Sequence, residues 1–198
     1  MPVIVIGGHS RSVGKTSVVA GLISALRDYN WTAVKITQYG HGVCSRTGTA
    51  CDCACPDGTW MISEDLDRSA ESDTSRFLVA GAKRSLWVRT QQGKLGDAMP
   101  SLRQKLEAAE NVIIESNSVL HFLEPDLYLS VLDPATADFK KSAHEFLTRA
   151  DALIVHSAKK KNWDDISIPE KPERPIFQIT PPPYVTEPIA DFVRSSLR

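Results

Sequence analysis

The run Val3-Ile4-Val5-Ile6-Gly7-Gly8-His9-Ser10-Arg11-Ser12-Val13-Gly14-Lys15-Thr16 constrains the chain more than any other. Its β-branched start predicts a buried strand over 3–6, closed by glycine. Beyond Lys15, Val18, Val19, Leu22, Ile23 and Leu26 recur at three- and four-residue spacing, which predicts a helix over 15–30. A short glycine-bearing loop between a strand and a helix leaves backbone N–H groups and the helix N-terminus free to cradle a diphosphate. Lys15 would add a point charge toward the β- and γ-phosphates, and the Thr16 hydroxyl would coordinate Mg²⁺. The candidate nucleotide-binding residues here are Gly8, Ser12, Val13, Gly14, Lys15, Thr16 and Ser17. One departure stands out: the common pattern GxxxxGK[ST] wants glycine where this chain has His9, and the nearest glycine, Gly8, comes one residue early.

Downstream, short apolar runs alternate with amphipathic stretches, the pattern of a parallel sheet covered by helices on both faces. Strands are expected over 31–37, 85–89, 112–115, 127–132, 152–155 and 176–179, and helices over 73–81, 95–110, 139–149 and 187–197. No repeat or linker interrupts them. The expected architecture is therefore one α/β domain over 1–198, a three-layer P-loop NTPase fold with a mainly parallel sheet. Residues 38–69 carry Gly, Cys, Pro and Asp without periodicity and are expected to form a long inserted loop.

A phosphate loop needs an acid at a neighbouring strand end to manage Mg²⁺ or a water. Glu115, closing Asn111-Val112-Ile113-Ile114-Glu115, is the candidate, with Ser116-Asn117-Ser118 next to it as possible phosphate or water ligands. Lys35 is a second candidate, because the C-terminal strand ends converge on such a site; a solvated lysine is the plainer alternative. Asp133-Pro134 reads as a turn, Lys159-Lys160-Lys161 as a solvated face, and His121, His144 and His156 as structural.

All four cysteines fall within Cys44–Cys55, at Cys44, Cys51, Cys53 and Cys55. A secreted disulfide scaffold would spread its cysteines to tie distant segments, so the cluster points to a metal or redox site in a reducing compartment. In extended chain Cys51, Cys53 and Cys55 share one side. Four thiolates suit Zn²⁺ or an iron–sulfur cluster, although the usual pair spacings are absent and His41 could replace one ligand. A local disulfide and inert thiols remain as alternatives.

Composition narrows the class further. Hydrophobic residues at 42% and charged residues at 24% are ordinary for a globular chain of 198 residues. With 23 Lys+Arg against 24 Asp+Glu, no overall field recruits nucleic acid or an anionic membrane. No apolar run approaches the ~20 residues that span a bilayer. The expectation is a cytoplasmic protein with neither nucleic acid nor membrane as partner.

With these segments in view, the chain resembles the MobB family, P-loop GTP-binding proteins of molybdopterin-guanine dinucleotide biosynthesis. The resemblance is carried by the phosphate loop, by Val34-Lys35-Ile36-Thr37-Gln38-Tyr39-Gly40-His41, by Asp73-Thr74-Ser75-Arg76-Phe77 running to Ala80-Gly81-Ala82, and by Ile113-Ile114-Glu115. It covers about the first 120 residues and weakens after them. It implies a homodimeric, slow GTPase that serves as an accessory factor with a cofactor-biosynthesis protein partner, with Lys15 and Glu115 as its catalytic residues. Ser116 stands where that family has glycine, and no Asn-Lys-x-Asp guanine-reading motif is present, so GTP over ATP is inherited from the resemblance. The loop also resembles that of dethiobiotin synthetase, which implies an ATP-dependent small-molecule enzyme with Lys35 near its substrate. A third possibility is a metal- or redox-responsive nucleotide-binding protein built on the cysteine cluster.

Overall fold

The computed structural model describes residues 1–40, 58–158, 162 and 171–197. Among these, eight strands form one sheet in the order β3-β4-β2-β5-β1-β6-β7-β8. The strands are β1 (Val3–Gly8), β2 (Trp31–Tyr39), β3 (Trp60–Asp65), β4 (Arg84–Gln91), β5 (Asn111–Glu115), β6 (Leu127–Leu132), β7 (Ala152–His156) and β8 (Ile176–Ile179). Every pairing is parallel except β3 with β4, which is antiparallel and closes one edge. The helices are α1 (Lys15–Ala25), α2 (Asp73–Ala80), α3 (Leu95–Leu106), α4 (Lys141–Phe146) and α5 (Glu187–Ser196).

Alternation along the strands divides the core into two layers. Ile4, Ile6, Ala33, Ile113 and Leu129 pack against Val18, Val19, Leu22 and Ile23 of α1, Phe77 of α2, and Ile189 and Val193 of α5. Val5, Val34, Leu86, Val88 and Ile114 face the other way, onto Leu95, Met99, Leu102 and Leu106 of α3 and Phe146 of α4. This is the expected three-layer α/β fold.

Three expectations need correction. Residues 38–69 are not loop throughout: β2 runs on to Tyr39, and β3 pairs with β4 from Trp60↔Thr90 to Asp65↔Ser85. The signal for β3 was the alternation of Trp60 and Ile62, which pack on the α3 layer, hidden beside a Gly- and Cys-rich stretch. The helix over 15–30 stops at Ala25 and gives way to a 3-10 turn over Arg27–Tyr29, because the Trp31 indole N–H takes the Leu26 carbonyl at 2.8 Å. The helix over 139–149 shortens to α4 and a 3-10 turn over Leu147–Arg149. It starts only at Lys141 because Lys140, whose N–H donates to the His9 carbonyl at 2.8 Å, is extended at ψ 145°, and its end is tied by the buried Arg174, which donates to the Leu147 carbonyl at 2.9 Å.

Candidate phosphate site

The loop between β1 and α1 is held by contacts from three other parts of the sheet. Asn117, just past β5, clamps Gly8: its Oδ1 accepts from the Gly8 N–H at 2.9 Å and its Nδ2 donates to the Gly8 carbonyl at 2.8 Å. The fit is close enough that a Cβ on Gly7 would lie 2.2 Å from Asn117 Oδ1. Sequence reasoning placed Asn117 among possible phosphate or water ligands; its side chain is committed to the loop backbone.

His9, in the place where the common pattern has glycine, is fully buried. Burial lowers its pKa below the ordinary histidine value, so the ring is neutral. Nδ1 accepts from the Asp133 N–H at 3.4 Å, and Nε2 lies 3.2 Å from the Thr136 carbonyl as its donor. Phe139 packs on the ring at 5.0 Å between centroids. The departure from the motif thus fastens the loop to the segment after β6. Asp133 itself accepts from the Ala135 N–H and the Thr136 hydroxyl, the turn expected for it.

Gly14 takes φ 91°, a left-handed conformation, at the N-cap of α1, with the Tyr184 ring over it; a Cβ there would meet Tyr184 Cε1 at 2.3 Å. Val13 is buried in the core, so only its backbone is available to a ligand. Ser12 is exposed at φ 57°. The Ser17 hydroxyl accepts from Arg76 Nη2 at 3.0 Å and links α1 to α2.

Lys15, Thr16, Lys35 and Glu115 come together, as the sequence suggested. Thr16 donates to Glu115 Oε2 at 2.7 Å, and Lys35 Nζ reaches Glu115 Oε1 at 2.5 Å and Thr16 Oγ1 at 3.3 Å. The Glu115 side chain is 4% exposed and that of Lys35 18%, so Lys35 is no solvated lysine. Asp73, at the start of α2, completes the group with Oδ2 2.9 Å from Lys35 Nζ. Burial works to lower the Lys35 pKa, but Glu115 and Asp73 outweigh it and hold the ammonium above its ordinary range.

Lys15 is different. Its Nζ donates to the Ser10 carbonyl at 2.5 Å within its own loop. Burial, with Lys140 and Lys35 nearby, brings its pKa down to about 8 despite Glu115. Lys140 is likewise lowered, by burial and then by Arg11. Lys140, Arg11 and His9 are not among the site residues that the local sequence marks. Nothing in the spacing marks Lys140; its place depends on how the segment after β6 folds back onto the loop.

The oxygens of Thr16, Glu115 and Asp73 are hard donors of the kind Mg²⁺ prefers, and the Lys35 ammonium already bridges them as a cation. The donor chemistry therefore fits Mg²⁺. Among the described residues no three His, Cys, Asp or Glu side chains gather as a metal site. The cysteine cluster, His41 and Lys159-Lys160-Lys161 lie outside the described residues. Among the described residues no helix is long and apolar enough to cross a membrane.

Loop, helix and sheet together define the class: a P-loop domain of three-layer α/β architecture. No protein-family profile matches the chain, and no curated protein does. Solved structures do. LpxK from Aquifex aeolicus, in its "apo" form in complex with ATP, is 19% identical with a TM-score of 0.53, over 90% of this chain and 53% of that one. This chain therefore spans about half the length of LpxK. HypB from Helicobacter pylori, in complex with nickel, is 16% identical with a TM-score of 0.50, over 97% of this chain and 85% of that one. Bacillus subtilis MobB is 17% identical with a TM-score of 0.45, over 100% of this chain and 99% of that one. At these identities the likeness to LpxK and HypB is one of fold.

Proposed function

We propose that this chain binds a purine nucleoside triphosphate with Mg²⁺ and acts as a slow GTPase, an accessory factor in molybdenum-cofactor maturation. The observation that carries the nucleotide reading is Lys15. A buried ammonium brought down to about 8, with two further lysines near it, sits on a loop whose helix N-terminus faces the same space. A polyphosphate relieves this crowding of like charge. In such a complex the loop amides and Lys15 would hold the phosphates, and Thr16 and Glu115 would hold Mg²⁺, which would neutralise phosphate charge. Glu115, freed from the Thr16 proton, orients the attacking water. Lys35, tied to Asp73, holds the Glu115 carboxylate in place through its 2.5 Å ion pair. The choice of GTP, the homodimer and the cofactor-biosynthesis partner rest on the MobB resemblance alone.

Nucleotide calorimetry tests the core of this reading. GTP binding in the presence of Mg²⁺, weakened ~10–100-fold by Lys15→Ala, is the expected result. Fast ATP turnover that requires a small acid substrate would favour the dethiobiotin-synthetase-like alternative. A second reading gives the Cys44, Cys51, Cys53 and Cys55 thiols a Zn²⁺ or iron–sulfur site. Its support is position: the segment departs from the C-terminal end of β2, two strand steps beyond Lys35. Metal analysis and an absorption spectrum of protein purified without oxygen decide it, and four free thiols with no metal would end it.

A further inference from the structure

The sheet face that carries Lys35 continues along β2 and across β4 and β3. Alternation puts Lys35 and Thr37 of β2, Trp87 and Arg89 of β4, and Met61 of β3 on this face. The register aligns Lys35 with Trp87, Thr37 with Arg89, and Met61 with Arg89. Arg89 therefore stands one side-chain step, ~6.6 Å along the strand, beyond the Lys35 that touches Thr16.

Arg89 is positioned but not neutralised. Its guanidinium lies 4.5 Å over the Trp87 ring, and Trp87 is itself fixed by its indole N–H donating to Thr37 Oγ1 at 3.1 Å. The hydrogen bond the guanidinium makes is to a weak acceptor, Met61 Sδ at 3.5 Å. Its Nε is buried with no hydrogen-bond partner among the described residues. Arg84, five residues back at the start of β4 and on the opposite face, shows the contrast: it makes two 2.9 Å bonds to the Glu64 carboxylate. A guanidinium stacked on an aromatic ring, with no carboxylate partner among the described residues, leaves its terminal Nη groups to receive an oxyanion.

We infer that Arg89, stacked on Trp87, is the anion subsite of a second ligand, a small molecule whose carboxylate or phosphate docks on Arg89 while its other end reaches the Lys35–Asp73 edge of the phosphate site. This rests on the nucleotide reading for the role of the neighbouring site. It does not depend on that reading for Arg89 itself.

The test is calorimetry on the full chain, first titrated with a non-hydrolysable GTP analogue and Mg²⁺ to fill the phosphate loop. Succinate and inorganic phosphate are then titrated separately, with tryptophan fluorescence followed in parallel. The expected result is saturable binding of one of the two, weakened at least tenfold by Arg89→Gln. Trp87→Phe should abolish the optical change while heat of binding persists. Tighter succinate binding assigns a carboxylate ligand, and tighter phosphate binding a phosphorylated one. If Arg89→Gln does not fold, Arg89→Lys, which keeps the charge and loses the fork, should show the same weakening. Equal affinity in wild type and variant, or no saturable binding of either anion in wild type, overturns the inference. If the GTP analogue itself does not bind, the nucleotide reading fails separately, and the anion titrations are read on the nucleotide-free protein.

Discussion

At the scale of single residues, Lys15 and Lys35 show how neighbours decide what one side-chain type does. Both are largely buried beside Glu115, Lys15 at the start of α1 and Lys35 on β2. Lys35 is claimed by Glu115 and Asp73 and stays charged, while Lys15 has a carbonyl and is pushed down to about 8. A pH dependence follows. Below pH 8 Lys15 of the free protein carries its proton and meets a triphosphate without further protonation. Above it, binding must take up a proton, so affinity falls by up to about tenfold per pH unit until the pH reaches the pKa that Lys15 takes in the complex. The sign for stability is opposite. Between about 8 and 10.5 the unfolded chain binds more protons at this lysine than the folded one, so its contribution makes the nucleotide-free protein more stable as pH rises. Calorimetry in buffers of differing ionisation heat should detect proton uptake on binding at pH 8.5 and its absence at pH 6.5, with the uptake gone in Lys15→Met. The Glu115–Lys35 pair predicts a stability effect of its own. Glu115→Leu leaves a mostly buried ammonium with Asp73 as its remaining carboxylate and should cost on the order of 3 kcal/mol in urea unfolding.

At the scale of elements, the phosphate loop is a short segment whose shape is imposed from outside. Asn117 bonds both backbone groups of Gly8, and His9 is held by Asp133 and Thr136. Asn117→Ala removes two buried bonds and should destabilise the fold by ~1–3 kcal/mol. It should also weaken nucleotide binding, although Asn117 would touch no phosphate; unchanged affinity would mean the loop keeps its shape without the clamp. Much of this arrangement was readable in advance. The strand–glycine–helix order placed Lys15 and Thr16, and a carboxylate closing an apolar strand placed Glu115, because β5 pairs directly with β1. β3 was obscured because its two packing residues, Trp60 and Ile62, are too few to outweigh the stretch before them. His9 and Lys140 were not legible for a different reason. Their roles arise from the segment after β6 closing over the loop, a contact over 100 residues apart in sequence that no local pattern encodes.

At the scale of the whole molecule, the site gathers side chains from several elements of the fold. Lys15 and Thr16 belong to α1, Lys35 to β2, Asp73 to α2 and Glu115 to β5, and the His9 carbonyl holds the entry to α4. A ligand that neutralises the lysines and bridges these elements binds the folded state alone, so it must raise global stability by mass action. At a concentration of 100 times Kd the gain is ~2.7 kcal/mol. For a chain of this size each kcal/mol moves the unfolding midpoint by ~2–4 °C, which gives a shift of about 5–10 °C. Thermal unfolding with Mg²⁺ and GTP should show this shift, and Lys15→Ala should lose most of it. ATP at the same concentration should shift the midpoint less if the base is read as the MobB resemblance implies. Equal shifts would mean that the phosphates alone are recognised, since the triphosphate, the lysines and the loop amides are common to both. No shift with either nucleotide would leave the buried lysines without the anion that explains them and would remove the proposed function at its root.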